Sequence, residues 1–286
     1  MSIATLPAPG GAPGALAPAL DAAELLLRGR RVAVLTGAGI STDSGIPDYR
    51  GTGAPLHRTP MDFAAFLGDE HSRKRYWAGS HLGWNHFSTA APNEGHRAVA
   101  ALERSGAFSG VITQNVDGLH ARAGSRRVVE LHGAMRRVSC LTCGQTFARA
   151  DIAQRMTAAN PWLDSPDAIQ TGPDGDVQVD YVDQMIVPEC TVCGGLLKPD
   201  VVFFGEFVPQ TVFGSARALL RGSDALLIAG SSLVVNSGIR LLDQAAKRRL
   251  PIVIVNRGET RGDKRAGLKI EAGTSEVLTA LVERLG

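Results

Sequence analysis

Four cysteines, one glycine-rich turn and one histidine behind a buried run are the features of this chain whose spacing allows chemistry. The cysteines come as Cys140-Leu-Thr-Cys143 and Cys190-Thr-Val-Cys193. A two-residue gap lets both thiolates of a pair reach one ion, and Gly144, Gly194 and Gly195 supply turns just behind each pair. Four such sulfurs make a closed tetrahedral zinc site, which folds a lobe and leaves no open position for a reaction. Two disulfides or a redox pair are the alternative, but disulfides suit an oxidising compartment. The first 20 residues carry no charge, and Pro7, Pro9, Pro13 and Pro18 break any apolar run. They read as a flexible tail and not as a secretory or transit leader, so the expected location is cytoplasmic.

The glycine turn is Gly37-Ala38-Gly39-Ile-Ser41-Thr42, directly after the apolar run Val32–Thr36. Glycines at a strand-to-helix turn let backbone N–H groups approach a pyrophosphate, although the third glycine of the usual dinucleotide fingerprint is missing. A polar loop with Asp48, Tyr49 and Arg50 follows. Three further apolar runs end in small or hydrogen-bonding residues: Gln114-Asn115-Val116-Asp117, Gly230-Ser231-Ser232 and Asn256-Arg257-Gly258. Open α/β sheets bind ligands at the carboxyl ends of their strands, where these residues fall. Ordinary helix capping by Ser and Asn is the plainer account of any single end. His132 follows the run Val128–Leu131, and an imidazole titrating near 6.5 suits a general base, though seven histidines compete for that role.

Elements that position these residues are legible in the periodicity. Val32–Thr36, Val111–Gln114, Val128–Leu131, Ala225–Ala229 and Ile252–Val255 are short β-branched runs of the kind buried on both faces of a parallel sheet. Helical patterns cover Glu94–Arg104, Thr211–Leu220, Gly238–Arg248 and Ser275–Leu285, with another starting near Asp21. The alternation predicts an α/β protein with a doubly wound parallel sheet, Rossmann-like. Two stretches interrupt it. Residues 134–197 hold both cysteine pairs and a polar middle, and residues from about 51 to 92 look helical. The expected organisation is therefore a tail over 1–20, a nucleotide-binding domain over 21–133 and 198–286 with a helical insertion, and a small zinc module over 134–197. Composition fits a globular chain: 286 residues, 44% hydrophobic, 20% charged and a net charge of +2. That balance gives no footprint for nucleic acid, and no apolar stretch nears the ~18 residues of a membrane helix.

Taken together, the motifs resemble one family over nearly the whole chain from Asp21. GAGISTDSGIPDYRG, TQNVDGLH, the Leu131-His132-Gly133 triplet, the paired CxxC motifs, Lys198-Pro-Asp-Val-Val-Phe-Phe-Gly205-Glu206, GSSLVV and Asn256 look like a sirtuin. Tyr49 and the Pro173–Asp176 segment look more like the class II branch. The resemblance implies an NAD-dependent protein lysine deacylase, a transferase whose partners are acyl-lysine proteins or peptides, with NAD as co-substrate and one structural zinc. It implies that His132 is the general base on the ribose hydroxyls, that Asn115 positions the ribose and a water, and that Asp117 accepts from the nicotinamide carboxamide. Gly37, Gly39, Ser41 and Thr42 would belong to the turn at the cofactor, Ala38, Asp48, Tyr49 and Arg50 to the loop over the nicotinamide ribose with Arg50 near the pyrophosphate, and Gln114 and Val116 would add cofactor contacts. Gly230, Ser231, Ser232, Asn256, Arg257, Gly258 and Thr274 would line the adenosine end.

Val202, Phe204 and Gly205, with Val234 opposite, resemble the acyl-lysine cleft, where the peptide backbone pairs as an added strand. A core strand over Val201–Phe204 is the alternative. Mono-ADP-ribosyl transfer and a non-catalytic NAD-sensing module are the competing functions, and the presence of His132, Asn115 and Asp117 disfavours the second. Family members that prefer dicarboxylic acyl groups carry Tyr-x-x-Arg in the helical insertion, whereas Tyr49, Tyr76 and Tyr181 are followed three residues on by Thr52, Gly79 and Gln184.

Overall fold

The computed structural model describes residues 4–5, 16–49, 61–163, 174, 179 and 182–286, with the side chains of Ala4, Thr5, Asn85 and His86 left aside. In chain order the strands are β1 (Ala4–Thr5), β2 (Val32–Thr36), β3 (Phe108–Thr113), β4 (Val128–Glu130), β5 (Gly133–Cys140), β6 (Thr146–Ala148), β7 (Leu197–Val201), β8 (Ala225–Ala229), β9 (Ile252–Val255) and β10 (Leu268–Ile270). The helices are α1 (Ala17–Leu27), α2 (Phe63–Gly68), α3 (Glu70–Thr89), α4 (Glu94–Arg104), α5 (Leu119–Arg122), α6 (Arg149–Ala159), α7 (Gln210–Arg221), α8 (Asn236–Lys247) and α9 (Thr274–Leu285).

Seven strands form one sheet in the order β1-β10-β9-β8-β2-β3-β4, and every pairing in it is parallel. Side chains alternate across it. Val32, Val34, Leu227 and Val253 enter the core under α1, α4 and α9, whereas Ala33, Leu35, Ile228 and Ile254 enter the core under α7 and α8. This two-sided burial is what makes the strand sequences near-continuous apolar runs. β2 sits between β3, next in the first half of the winding, and β8, which opens the second half. Chain direction across the sheet reverses there, and the crevice above such a point is where ligands bind.

A second sheet, in the antiparallel order β6-β5-β7, belongs to the cysteine-bearing insertion. Its core is shared with α2 and α3: Phe66, Trp77 and Phe87 pack with Met135, Val138, Ile152 and Leu197. Asp62 and Asp69 cap α2 and α3, their carboxylates accepting from the first backbone N–H groups of each helix. Within the stretch expected as a flexible tail over 1–20, two short segments take regular structure. Ala4–Thr5 pairs in parallel with β10, and α1 already starts at Ala17. Pro18 lies in its first turn, where a missing N–H breaks no helical bond. Among the described residues no helix is long and apolar enough to cross a membrane.

Candidate functional site

The glycines at the switch point fix how closely β2 and β8 approach. Gly37 N donates to Ala229 O at 3.2 Å and Gly39 N to Gly230 O at 2.9 Å. A Cβ on Gly39 would lie 2.8 Å from Gly230 Cα, and one on Gly37 2.8 Å from Gly230 O. Gly230 itself has φ +67°, and a Cβ there would meet Ile40 N at 2.5 Å. Both turns thus meet main chain to main chain at the switch point, with no room for a side chain between them. Replacing Gly39 with alanine forces main chain, not a movable side chain, to give way. The expected result is a loss of about 1–3 kcal/mol of stability, as for other overpacked sites, together with weaker NAD binding. Urea unfolding and calorimetric titration with NAD check it; wild-type values in both would show that the close approach is dispensable.

Behind the turn lies a hydrogen-bonded cluster. Asn115 Nδ2 donates to Gly37 O at 3.1 Å and to Ser41 Oγ at 3.0 Å, and Ser41 Oγ donates to Asp117 Oδ2 at 2.7 Å. With both amide hydrogens engaged, Asn115 offers its Oδ1 for other contacts. Asp117 also accepts from Leu119 N at 2.8 Å. Burial pushes its pKa up, against the opposing hydrogen bonds from Leu119 and Ser41. Two further histidines back this cluster. His96 completes the capping box of α4 with Asn93, and burial lowers its pKa to about 4. His120 is fully buried, its Nε2 bonded to Thr36 Oγ1 at 2.9 Å, and it meets His96 edge to face with ring centroids 4.9 Å apart.

His132 stands apart from them, just past β4. Its Nδ1 lies 2.9 Å from Gln114 O and its Nε2 2.9 Å from Ser237 Oγ. A carbonyl only accepts, so Nδ1 carries the proton; in the neutral ring Nε2 is then the acceptor and the serine hydroxyl its donor. Burial lowers the His132 pKa, with the Gln114 carbonyl opposing.

Other expected ligand residues separate by what their side chains do. Ser231 Oγ donates to Gln114 Oε1 at 2.6 Å and accepts from Leu233 N at 3.2 Å, which ties two strand ends together. Thr42 and Thr274 each donate to Gly39 O at 3.2 Å, and Val116 is buried in the core of the insertion. Ala38 lies in the short 3-10 turn after Gly37. The Asn256 amide donates to Arg257 O and Gly258 O, while Arg257 is exposed beside Gly273. Ser232 O accepts from Arg261 N. Asp48 is partly buried, and Tyr49 donates its hydroxyl to the Asp174 carboxylate, joining the polar loop to the insertion. Arg50, most of the Pro173–Asp176 segment and Tyr181 lie outside the described residues.

On the other side of His132, β7 ends at Val201, and beyond it Phe203 is buried while Phe204 makes an isolated parallel bridge with Asp62. Val202 N donates to His132 O at 2.9 Å, which fixes the loop to the histidine backbone. Phe204 is 51% and Val234 40% exposed, as apolar walls of an open cleft would be. Sequence reading missed Ser237, whose hydroxyl meets His132 from α8, and Leu233, held at φ +57°.

All four cysteine sulfurs lie within 4.8 Å of one another and none is in a disulfide. Cys140 and Cys193 Sγ are 3.6 Å apart, Cys143 and Cys190 3.8 Å. Tetrahedral coordination at about 2.3 Å per bond separates sulfurs by about 3.8 Å, so the donor set and its spacing fit zinc.

Comparison with known proteins agrees with this geometry. The Sir2 family pattern matches residues 37–237. The chain is 52% identical to NAD-dependent protein deacetylase 1 of Mycobacterium avium over 264 residues, spanning 91% of this chain and 93% of that one. It is 45% identical to NAD-dependent protein deacylase Sirt4 of Drosophila melanogaster over 267 residues, spanning 91% and 85%. A solved Sir2 structure with a p53 peptide and NAD+ superposes with a TM-score of 0.74 at 32% identity, covering 92% of this chain and 96% of that one.

Proposed function

The chain belongs to the Sir2 family and is an NAD-dependent protein lysine deacylase, and from that premise we propose which of its residues carry the reaction. NAD, when bound, supplies the ribose carbon that takes the acyl group as nicotinamide leaves. The glycine turns at Gly37, Gly39 and Gly230 are the place proposed for its pyrophosphate, because they pack main chain against main chain at the switch point of the sheet, where α/β sheets bind such groups. Asn115, held by Gly37 and Ser41, orients the nicotinamide ribose through Oδ1, and Asp117 receives the carboxamide. His132 is the base. The observation that carries this reading is the tautomer: Gln114 O holds the proton on Nδ1, so the lone pair is on Nε2, which already accepts from an alcohol. A ribose hydroxyl presents the same chemistry to the same atom. Arg50 is proposed as a pyrophosphate partner on charge alone.

Val202, Phe204 and Gly205 form one wall for the acyl-lysine and Val234 the other, with edge-strand pairing to the peptide backbone. Mono-ADP-ribosyl transfer gains no observation of its own. Incubation with NAD and an acyl-peptide tests the reading: nicotinamide and O-acyl-ADP-ribose should form together. NAD-dependent labelling of protein without acyl-ADP-ribose would reverse the order of the two activities.

Neutral acyl groups should be preferred over dicarboxylic ones. Among the cations of the helical insertion, Arg73 donates from Nη1 to Phe66 O and Leu67 O and so caps α2. Arg75 is exposed, and Arg58 lies outside the described residues. A carboxylate entering an apolar cleft without a partner costs several kcal/mol, or roughly a thousandfold in kcat/KM. One peptide bearing acetyl, propionyl, a long neutral acyl, succinyl or glutaryl lysine ranks the series; succinyl or glutaryl first would show that another cation reaches the acyl end.

A further inference from the structure

The loop that forms one wall of the acyl-lysine cleft is closed from beneath by a single buried ammonium. Lys198, the second residue of β7, folds its side chain back along the chain, and Nζ donates to Val201 O at 2.6 Å and lies 3.0 Å from Glu206 Oε2. The same Glu206 oxygen accepts from Phe203 N at 2.6 Å, and Glu206 N donates to Phe203 O at 3.1 Å. Strand end and loop end are therefore stapled by one ion pair, whose side chains are only 8% and 18% exposed. The ammonium also lies 4.6 Å from the centre of the Phe203 ring and 5.6 Å from that of Phe63. From the opposite side Phe63 N donates to Phe204 O at 2.9 Å, and Gly205, at φ +83°, leaves 2.7 Å between a Cβ position and Asp62 Oδ2.

We infer that Lys198 and Glu206 are positioning residues for the acyl-lysine peptide: their ion pair holds Val202–Gly205 in the one conformation that can receive the substrate strand. Neither side chain needs to touch substrate for this. An added strand must find its partner's N–H and C=O groups already in register, and a loop free to open would lose part of the binding energy in being ordered. Without the ammonium, Glu206 becomes a buried, unpaired carboxylate, and water reaches it by opening the loop. The glycine turns between β2 and β8 lie at the centre of the seven-stranded sheet, whereas Lys198 belongs to the three-stranded one, and neither Lys198 nor Glu206 contributes to those turns, so NAD binding is left to the rest of the fold.

This rests on the acyl-lysine cleft proposed above, and steady-state deacylation of an acetyl-lysine peptide by the full chain tests it. Peptide is varied at saturating NAD, then NAD at saturating peptide. Lys198→Met should raise the peptide KM about tenfold or more while the NAD KM stays within about twofold, the signature of lost substrate binding. Lys198→Arg keeps the charge and the reach to Glu206, and should restore most of the peptide KM. Removing one partner of a buried pair can unfold a protein, so Lys198→Met combined with Glu206→Met, which leaves no orphaned charge, is the second variant. It should bind NAD normally by calorimetry and keep the raised peptide KM.

An unchanged peptide KM in either methionine variant that still binds NAD would overturn the inference. So would a loss shared equally by both substrates and not restored by arginine. Failure of the wild-type chain to deacylate any peptide would instead defeat the cleft assignment itself.

Discussion

Substituting alanine for His132 is expected to lower deacylation by about 10²–10⁴-fold, the usual worth of a general base, with folding and NAD binding retained. The size follows from what the imidazole does and does not support. Its two hydrogen bonds go to Gln114 O and Ser237 Oγ, and the main chain that shapes the cleft is held separately by the His132 carbonyl accepting from Val202 N. Alanine keeps that carbonyl. The pH dependence of the wild type gives an independent reading. Burial lowers the His132 pKa below its ordinary 6.5, so the ring is neutral throughout the neutral range. Activity should fall only as pH drops through that lowered value, and the acid limb of kcat/KM should therefore lie below pH 6.5. A midpoint at or above 6.5, or near-full turnover by His132→Ala, would take this residue out of the mechanism.

How much of this was visible in the sequence depended on how local each signal was. The four central strands and α4 were legible because both faces of the sheet are covered and α4 repeats with a helical period. The glycine turn was legible as well, but its reason was not. Gly37 and Gly39 are required by Gly230, nearly 200 residues on, and no window of sequence contains both. The strands of the insertion were missed for another cause. β5 carries Arg136 and Arg137 in its middle and alternates imperfectly, and β6 is three residues long, so period-two patterning is too weak to read.

Side-chain partners were the least legible of all. Ser237 meets His132 across 105 positions, and no motif marks a serine at the start of α8 as the donor to that ring. Lys198 and Glu206 are close enough in sequence to pair, but only the reversal after Val201 brings them together. Ser231 gives its hydroxyl to Gln114, which ties together two strand ends that lie far apart in the chain.

Serine in place of Cys140 or Cys193 should abolish zinc binding and unfold the insertion. The two knuckles are built alike. Gly144 N donates to Cys140 O and Gly194 N to Cys190 O, and both glycines adopt φ near +70° (74° and 71°), which aims the sulfurs inward. Structural zinc of this kind contributes on the order of 10 kcal/mol to folding, against a total of about 5–15 kcal/mol for a whole domain.

The damage should also reach the residues proposed to bind NAD, although a closed four-cysteine site leaves the ion no open position for a reaction. Cys140 and Cys190 share one core with Met135, Val116 and Leu119, and the last two flank Asp117 in the chain. Trp77 reports on this core directly. It is fully buried there and donates from Nε1 to Leu197 O, in the strand position paired with Cys140. Elemental analysis of the purified chain should find a single zinc ion, and chelation should red-shift tryptophan emission and remove activity together. A zinc-free chain with unshifted emission and full turnover would show that packing alone holds the cysteines in place.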